Sequence, residues 1–214
     1  MNYRINHLTT PKNKYENTTL IDLHVHTSHS ICSSLNVEDT LAEISGKVHG
    51  IVVTDHDHVL SLPDSIINTY YQKFQVNVFT PAVEISALEG HLLAYGLSQA
   101  PPINIDVETA IQMIHQENGI AIAAHPFAVL GLGNLVYSLD LDAIEINGNR
   151  TKTVNEEARV AAESLGLPLV GGSDSHQKYQ IGTCVTAFEG EIVSMANLIS
   201  AVKKGKCKPL FIKH

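Results

Sequence analysis

The chain has 214 residues, 44% apolar and 17% charged, and a formal net charge of −8 with histidine neutral. That composition suits one compact domain and excludes a disordered chain. Its acidity argues against gripping a long nucleic acid, which takes many Lys and Arg, but not against a small anion held through metal ions. Cys32, Cys184 and Cys207 are scattered and odd in number. No disulfide framework is expected, and a reducing cytoplasm is the expected location. The polar N-terminus has no secretory apolar core, and no run approaches the ~20 apolar residues of a membrane span. The unusual count is twelve histidines.

In chain order, "TLIDLHV" (19–25) reads as a strand, followed by a helix over 36–50 with Asn36 as cap and Gly50 past its end. "IVVTD" (51–55) is a β-branched strand. A helix with Pro63 in its first turn runs to Phe74. "VNVFTPAVEIS" (76–86) and "HLLAYGL" (91–97) read as neighbouring strands. A third helix takes Asp106 as cap and Gly119 as stop, with Val107, Ile111 and Ile114 on its apolar side. "IAIAAH" (120–125), "LDAIEING" (141–148) and "LPLVGGSD" (167–174) are strands, and 153–166 and 191–205 are helices. Helices between strands imply crossovers and an α/β fold with a largely parallel sheet of about seven strands, open or closed as a barrel. Residues 1–19 read as an N-terminal extension and 20–214 as a single domain.

The polar residues fall in a pattern. His24 and His26 are two apart on the first strand and share a face with Asp22. His56 follows the second strand, Glu84 follows "NVFTPAV", His91 opens the next strand, His125 follows "IAIAA", and Asp174 and His176 follow "LPLVGG". Most of these positions lie just past the carboxyl end of a strand, the edge where sites of parallel α/β folds assemble. Singly, each has a plainer reading as a turn or strand-end residue. Converging, they make a metal nest. Imidazole mixed with carboxylate suits Zn, Mn or Fe, whereas Ca prefers oxygen. So many groups exceed one tetrahedral shell, so two or three divalent ions are expected, with Glu84 able to bridge two.

Six stretches in order, "DLHVHT", "VVTDHD", "AVEIS…GHLLAYG", "IAAHPF", "DAIEING" and "GGSDSH", resemble the PHP (polymerase and histidinol phosphatase) domain from about Leu20 to Thr186, in its stand-alone phosphoesterase form. The resemblance implies a distorted (β/α)7 barrel of the PHP type with up to three metal ions at its carboxyl edge. It implies one ion on His24, His26, Glu84 and Asp174, a second on Glu84, His91 and His125, and a third on His56 and His176. Many such domains complete the third site with an aspartate. Here "SICSS" places Cys32 there, and a thiolate is itself a ligand for Zn or Fe.

The expected activity is hydrolysis of a small phosphate ester through a hydroxide shared by two ions. Asp174 or His176 is the expected proton relay. Arg150, after "AIEING", is the expected phosphate contact, with Lys152 and Lys178 as alternatives. Asp22, Asp55 and Asp57 are expected to orient histidines through the second ring nitrogen. His29 and His58 read as neighbours of the site without a ligand role, and His115 as a plain helix residue. The competing readings are a nuclease acting on short oligonucleotides and a silent metal-binding module, and the full ligand set speaks against the second.

Overall fold

The computed structural model describes residues 17–212. In chain order, β1 spans Thr18–Val25, α1 Val37–Ile44, β2 Gly50–Val53, α2 Asp64–Phe74, β3 Asn77–Phe79, β4 Ala82–Ser86 and β5 His91–Tyr95. Then follow α3 Val107–Gln116, β6 Ile120–Ala123, β7 Ala143–Asn147, α4 Lys152–Leu165, β8 Leu169–Gly172, β9 Cys184–Glu189, α5 Met195–Lys203 and β10 Cys207–Phe211. The expected extension 1–19 lies outside the described residues up to position 16, and Thr18 and Thr19 already belong to β1.

The helices start where side chains can satisfy their free N–H groups. Asn36 caps α1 by accepting from Asp39 N, Asp106 caps α3 from Thr109 N, Thr151 caps α4 from Val154 N, and Ser194 caps α5 from Asn197 N. α1 stops at Ser45, short of the expected Gly50, because Gly46 turns left-handed and Gly50 is needed to start β2. Pro63 caps α2 rather than entering it. Among the described residues, no helix is long and apolar enough to cross a membrane.

Hydrogen bonding gives two five-stranded sheets, β10-β9-β1-β2-β3 and β4-β5-β6-β7-β8. The expected strand over 76–86 is divided. Pro81 has no N–H to donate, the ladder breaks there, and β3 joins one sheet while β4 joins the other. β5 runs antiparallel to both β4 and β6, and β9 antiparallel to β1 and β10. Sequence periodicity showed neither β9 nor β10. β10, "CKPLF", is a half-exposed edge strand carrying Lys208 and Pro209, which weakens its β signature.

Two short seams join the sheets. At one, β1 meets the end of β8: His26 N donates to Ser175 O at 3.1 Å and Asp174 N to His24 O at 2.8 Å. At the other, the end of β2 meets β4: Glu84 N donates to Asp55 O at 3.2 Å and Asp57 N to Glu84 O at 2.9 Å. One apolar cluster draws on both sheets, with Ile21, Leu23, Val52, Leu93, Tyr95, Ile122, Val170 and Phe188 buried together. Tyr95 Oη donates to Leu23 O across it at 2.5 Å.

The β1–β8 seam depends on Asp22. Its buried carboxylate accepts from Ser173 N at 2.9 Å, Gly182 N at 3.0 Å and, more weakly, His24 N at 3.3 Å. Asp22→Ala leaves these buried donors unpaired and should cost about 2–4 kcal/mol. Urea unfolding of wild type and variant checks this, and a loss under about 0.5 kcal/mol refutes it.

Candidate metal centre

The alternation of an extended strand puts His24 and His26 on one face, and their Nε2 atoms lie 3.1 Å apart. Across the second seam, Glu84 stands in the middle of β4, fully buried. Its Oε2 lies 3.1 Å from His24 Nε2, 3.0 Å from His26 Nε2 and 3.4 Å from His56 Nδ1. Its Oε1 lies 3.0 Å from His91 Nδ1 and 3.2 Å from His125 Nε2. Asp174 Oδ1 lies 3.5 Å from His24 Nε2 and 3.3 Å from His26 Nε2. His91 reaches this edge because β5 is antiparallel and begins where its neighbours end.

The backbone is bent to make the cluster. Asp174 (φ 54°) and His125 (φ 29°) take left-handed conformations that non-glycine residues avoid. Asp174 is held by its N–H on His24 O and by Asn149 Nδ2, which donates to Asp174 O at 2.6 Å. His125 N donates to Glu145 Oε2 at 2.8 Å. Gly172 is needed where β8 passes β1, since a Cβ there would collide with His24 Cβ and the Glu145 carboxylate.

The second ring nitrogens are held differently from expectation. Asp22 and Asp57 bind backbone N–H groups, not imidazoles. Asp55 accepts from Thr27 and from Ser30 Oγ at 2.7 Å, and Ser30 Oγ faces His26 Nδ1 at 3.2 Å, so Asp55 reaches His26 through a serine. The carboxylate that orients His24 is Glu145 on β7, 2.8 Å from His24 Nδ1. With Nδ1–H donated there, Nε2 is the nitrogen that His24 turns to Glu84 and Asp174, and the one that gives up its proton when an ion binds. Sequence reasoning gave Glu145 no role. Its signal was an acid inside the otherwise apolar strand "AIEIN", where a buried charge needs a partner.

Cys32, His56 and His176 form a half-open rim. Their ligand atoms and that of His26 lie within 4.8 Å of one another, as do those of His24, His26, Glu84 and Asp174, and those of His56, Glu84 and His91. Cys32 is exposed, and burial with nearby Glu84 and Asp174 pushes its thiol above the ordinary value. His176 Nδ1 faces Asp174 O at 3.0 Å, leaving Nε2 free. Arg150 reaches the cluster, with Nη2 2.7 Å from Asp174 Oδ2. Lys152 is exposed at the start of α4, and Lys178 pairs with Asp39 at 3.8 Å. His29 and His58 stack on each other at 4.8 Å, and His115 pairs with Asp142.

These residues fit divalent ions. The five separations measured among His24 Nε2, His26 Nε2, Glu84 Oε2 and Asp174 Oδ1 run from 3.0 to 3.5 Å. A tetrahedral ion with bonds of about 2.0–2.1 Å spans ligand separations of about 3.3–3.4 Å. Facing lone pairs at this range are otherwise mutually repelling. His56 Nδ1, which faces Glu84 Oε2, is buried with no hydrogen-bond partner. The electrostatics agree. Burial opposes charge on His24, yet Glu145, Glu84 and Asp174 hold it well above its ordinary value. His26 is raised likewise against burial by Asp174 and Glu84. Glu84 and Asp174 are held well below the carboxylate range despite burial, both with His24 as the leading opposing charge. His56 is lowered to about 4 by burial and by His26 and His91. The inner cavity calls for positive charge.

Residues 152–207 match the PHP-associated family. The fold is similar to that of PsfC from Pseudomonas syringae PB-5123, with a TM-score of 0.72 and 19% identity over 92% of this chain and 93% of that one. It is also similar to a two-domain protein from Bacteroides vulgatus containing a predicted PHP-like metal-dependent phosphoesterase, with a TM-score of 0.68 and 19% identity over 99% of this chain and 70% of that one. A lesion-specific endonuclease from Pyrococcus furiosus gives a TM-score of 0.63 and 15% identity over 90% of this chain and 57% of its own.

Protons and metal ions compete for His24 and His26. Because these imidazoles keep protons to higher pH than usual, metal affinity should already be falling above the ordinary imidazole value of about 6.5 and drop further as pH decreases. Competition with a chromophoric chelator across that range, together with proton release on metal addition, measures this; affinity flat with pH would contradict it. Glu145→Gln should weaken metal binding about 10–100-fold by loosening His24, with circular dichroism unchanged. Unaltered affinity would remove Glu145 from the site.

Proposed function

We propose that this domain, PHP-type in fold and carrying a PHP-associated segment, is a metal-dependent hydrolase of small phosphate esters, built on a distorted (β/α)7 barrel. Strands β1, β2, β4, β5, β6, β7 and β8 would form the ring, with the two seams completing it. The observation that carries the reading is the convergence of five imidazoles on the two oxygens of Glu84.

His24, His26, Glu84 and Asp174 would hold one divalent ion, Glu84, His91 and His125 a second, and His56, His176 and Cys32 a third. Zn, Mn or Fe suits these donors. When bound, such ions supply Lewis acidity and an acidified water nucleophile. Glu84 fixes the spacing of the two inner sets, one oxygen to each. Glu145 and Ser30 set the tautomers of His24 and His26 so that both Nε2 atoms face inward.

Arg150 would grip the phosphoryl group. Its Nη2 is on Asp174, but its Nε is buried without a partner, so the guanidinium has donors to spare. Asp174 stays ionised near neutrality and is therefore a poor proton carrier. His176, lowered by burial and by His26, is unprotonated there. It can accept the proton of the attacking water and return it to the leaving oxygen as the P–O bond breaks. His176 has one free nitrogen for two uses: three ions per chain would commit it to the rim, and two would leave it to carry the proton.

A nuclease acting on short oligonucleotides is the second reading, motivated by the likeness of fold to the archaeal endonuclease. The net charge of −8 and the pairing of Lys178 with Asp39 weigh against a long strand.

Metal-loaded protein should release phosphate from phosphomonoesters faster than from dinucleotides or oligonucleotides. Stripping the metal, verified by elemental analysis, should stop the reaction, and full activity in metal-free protein overturns the reading. Glu84→Gln should lose metal and at least about 100-fold in kcat/KM.

A further inference from the structure

We infer that the cavity behind Arg150 receives an uncharged apolar group, the organic part of an ester whose phosphoryl end lies over the histidine–carboxylate cluster. The inference rests on the phosphoesterase reading above and names its substrate class.

The cavity measures about 570 Å³ and is walled by Phe127, Ala128, Val129 and Leu130 from the loop after β6, by Val154 in α4, and by Asn149, Arg150 and Thr151 just before that helix. That volume suits an organic ligand, for which sites of about 300–1,000 Å³ with apolar walls and few polar groups are usual. The cavity is tied to the cluster at three points. The loop starts at His125, whose carbonyl accepts from Ala128 N at 2.9 Å. Its far end is fixed by His91 N, which donates to Leu130 O at 2.8 Å. Arg150 stands between cavity and cluster, with Nη2 2.7 Å from Asp174 Oδ2.

The walls are costly to leave in water. Val129 is 99% exposed and Leu130 58%, although both adjoin the most polar part of the molecule. Apolar side chains gathered at the mouth of a site mark what they meet. The opposite flank is different. There a cavity of about 460 Å³ has Ile31 and Leu35 in its wall, but Cys32, Ser33, Asp39, His176 and Lys178 make it mostly polar. An ester whose phosphate sits between the flanks therefore has one direction in which an apolar group gains from burial, and that is past Arg150. Arg150 is the one ionic residue that lines this cavity, so a cationic organic group is repelled there and an anionic one competes with the phosphoryl group for the same guanidinium.

The test uses 2-phenylethylphosphonate and ethylphosphonate, which share head-group chemistry and are not hydrolysed. Calorimetry on zinc-loaded protein should show the phenyl compound binding at least about tenfold tighter, the scale of added apolar contact in a fitted pocket. In the Val129→Asn/Leu130→Asn double variant the ratio should fall within about twofold. Both positions are exposed, so folding is not at stake. Equal or absent binding of the two phosphonates to wild type, or a ratio unchanged in the variant, overturns the inference. So does a wild-type dimer, seen by sedimentation, that the double variant dissolves, because the patch then belongs to a second copy. Release of phosphate from 2-phenylethyl phosphate and ethyl phosphate is measured separately. Discrimination between the phosphonates with no turnover of either ester refutes the hydrolase reading and leaves the pocket in place.

Discussion

One buried carboxylate faces five imidazoles. Glu84 is fully inside the protein, and each of its oxygens lies within 3.4 Å of two or three ring nitrogens. A charge in that position is stable only if paired. The pairing carries a second demand, because imidazoles crowded onto one acid repel one another once protonated. In the titration pattern, burial and then repulsion from neighbouring imidazoles lower His56 and His176, while the carboxylates raise His24 and His26 against burial. Divalent cations between the donors answer both demands, as they carry more charge than a proton and accept several lone pairs at once. The remaining polar architecture, from Glu145 to Asp55 through Ser30, keeps those lone pairs pointed inward.

The fold is arranged around this constraint. Two sheets that share few backbone hydrogen bonds are joined at two seams, and both seams fall at the cluster. One brings Asp174 onto His24 and the other brings Glu84 onto Asp55 and Asp57. The same groups thus close the protein and build the site. That explains why strained backbone at Asp174 and His125 is tolerated there: each left-handed residue is fixed by buried hydrogen bonds on either side. The reversed strand β5 serves the same end. A parallel strand would have placed its first residue on the opposite edge, away from Glu84.

The helices, the caps Asn36 and Asp106 and most strands were legible because periodicity and capping are local properties. The cluster was legible because histidines at strand ends are poor core material and share an edge in α/β folds. What was not legible depended on distance in space. Whether Asp22 meets an imidazole or a backbone amide is decided by β8, some 150 positions away, and the amides of Ser173 and Gly182 reach it first. Glu145 looked like one polar interruption in an apolar strand until β7 came beside β1. The reading of 76–86 as one strand passed over Pro81, and the pairing of β3 with β2 shows that the two halves enter different sheets. β10 could not be read from its own residues because an edge strand draws its order from β9.

Charge placement bears on which phosphate such a site can take. The chain as a whole is acidic, so its long-range field repels a phosphate in solution. Attraction must come from the last few ångströms, from ions in the cluster and from Arg150. Arg150 is itself half-claimed by Asp174, which positions the guanidinium and lowers its hold on any single anion. A polyanion would gain little from such a site, since each further phosphate is opposed by the net charge of −8. A compact ester with one phosphoryl group and a neutral remainder, the substrate proposed above, would meet the opposite balance, with its charge answered inside and its organic part against apolar walls. On the proposed reading, selectivity would follow from positive charge concentrated at the cluster and Arg150 in a chain whose net charge is −8.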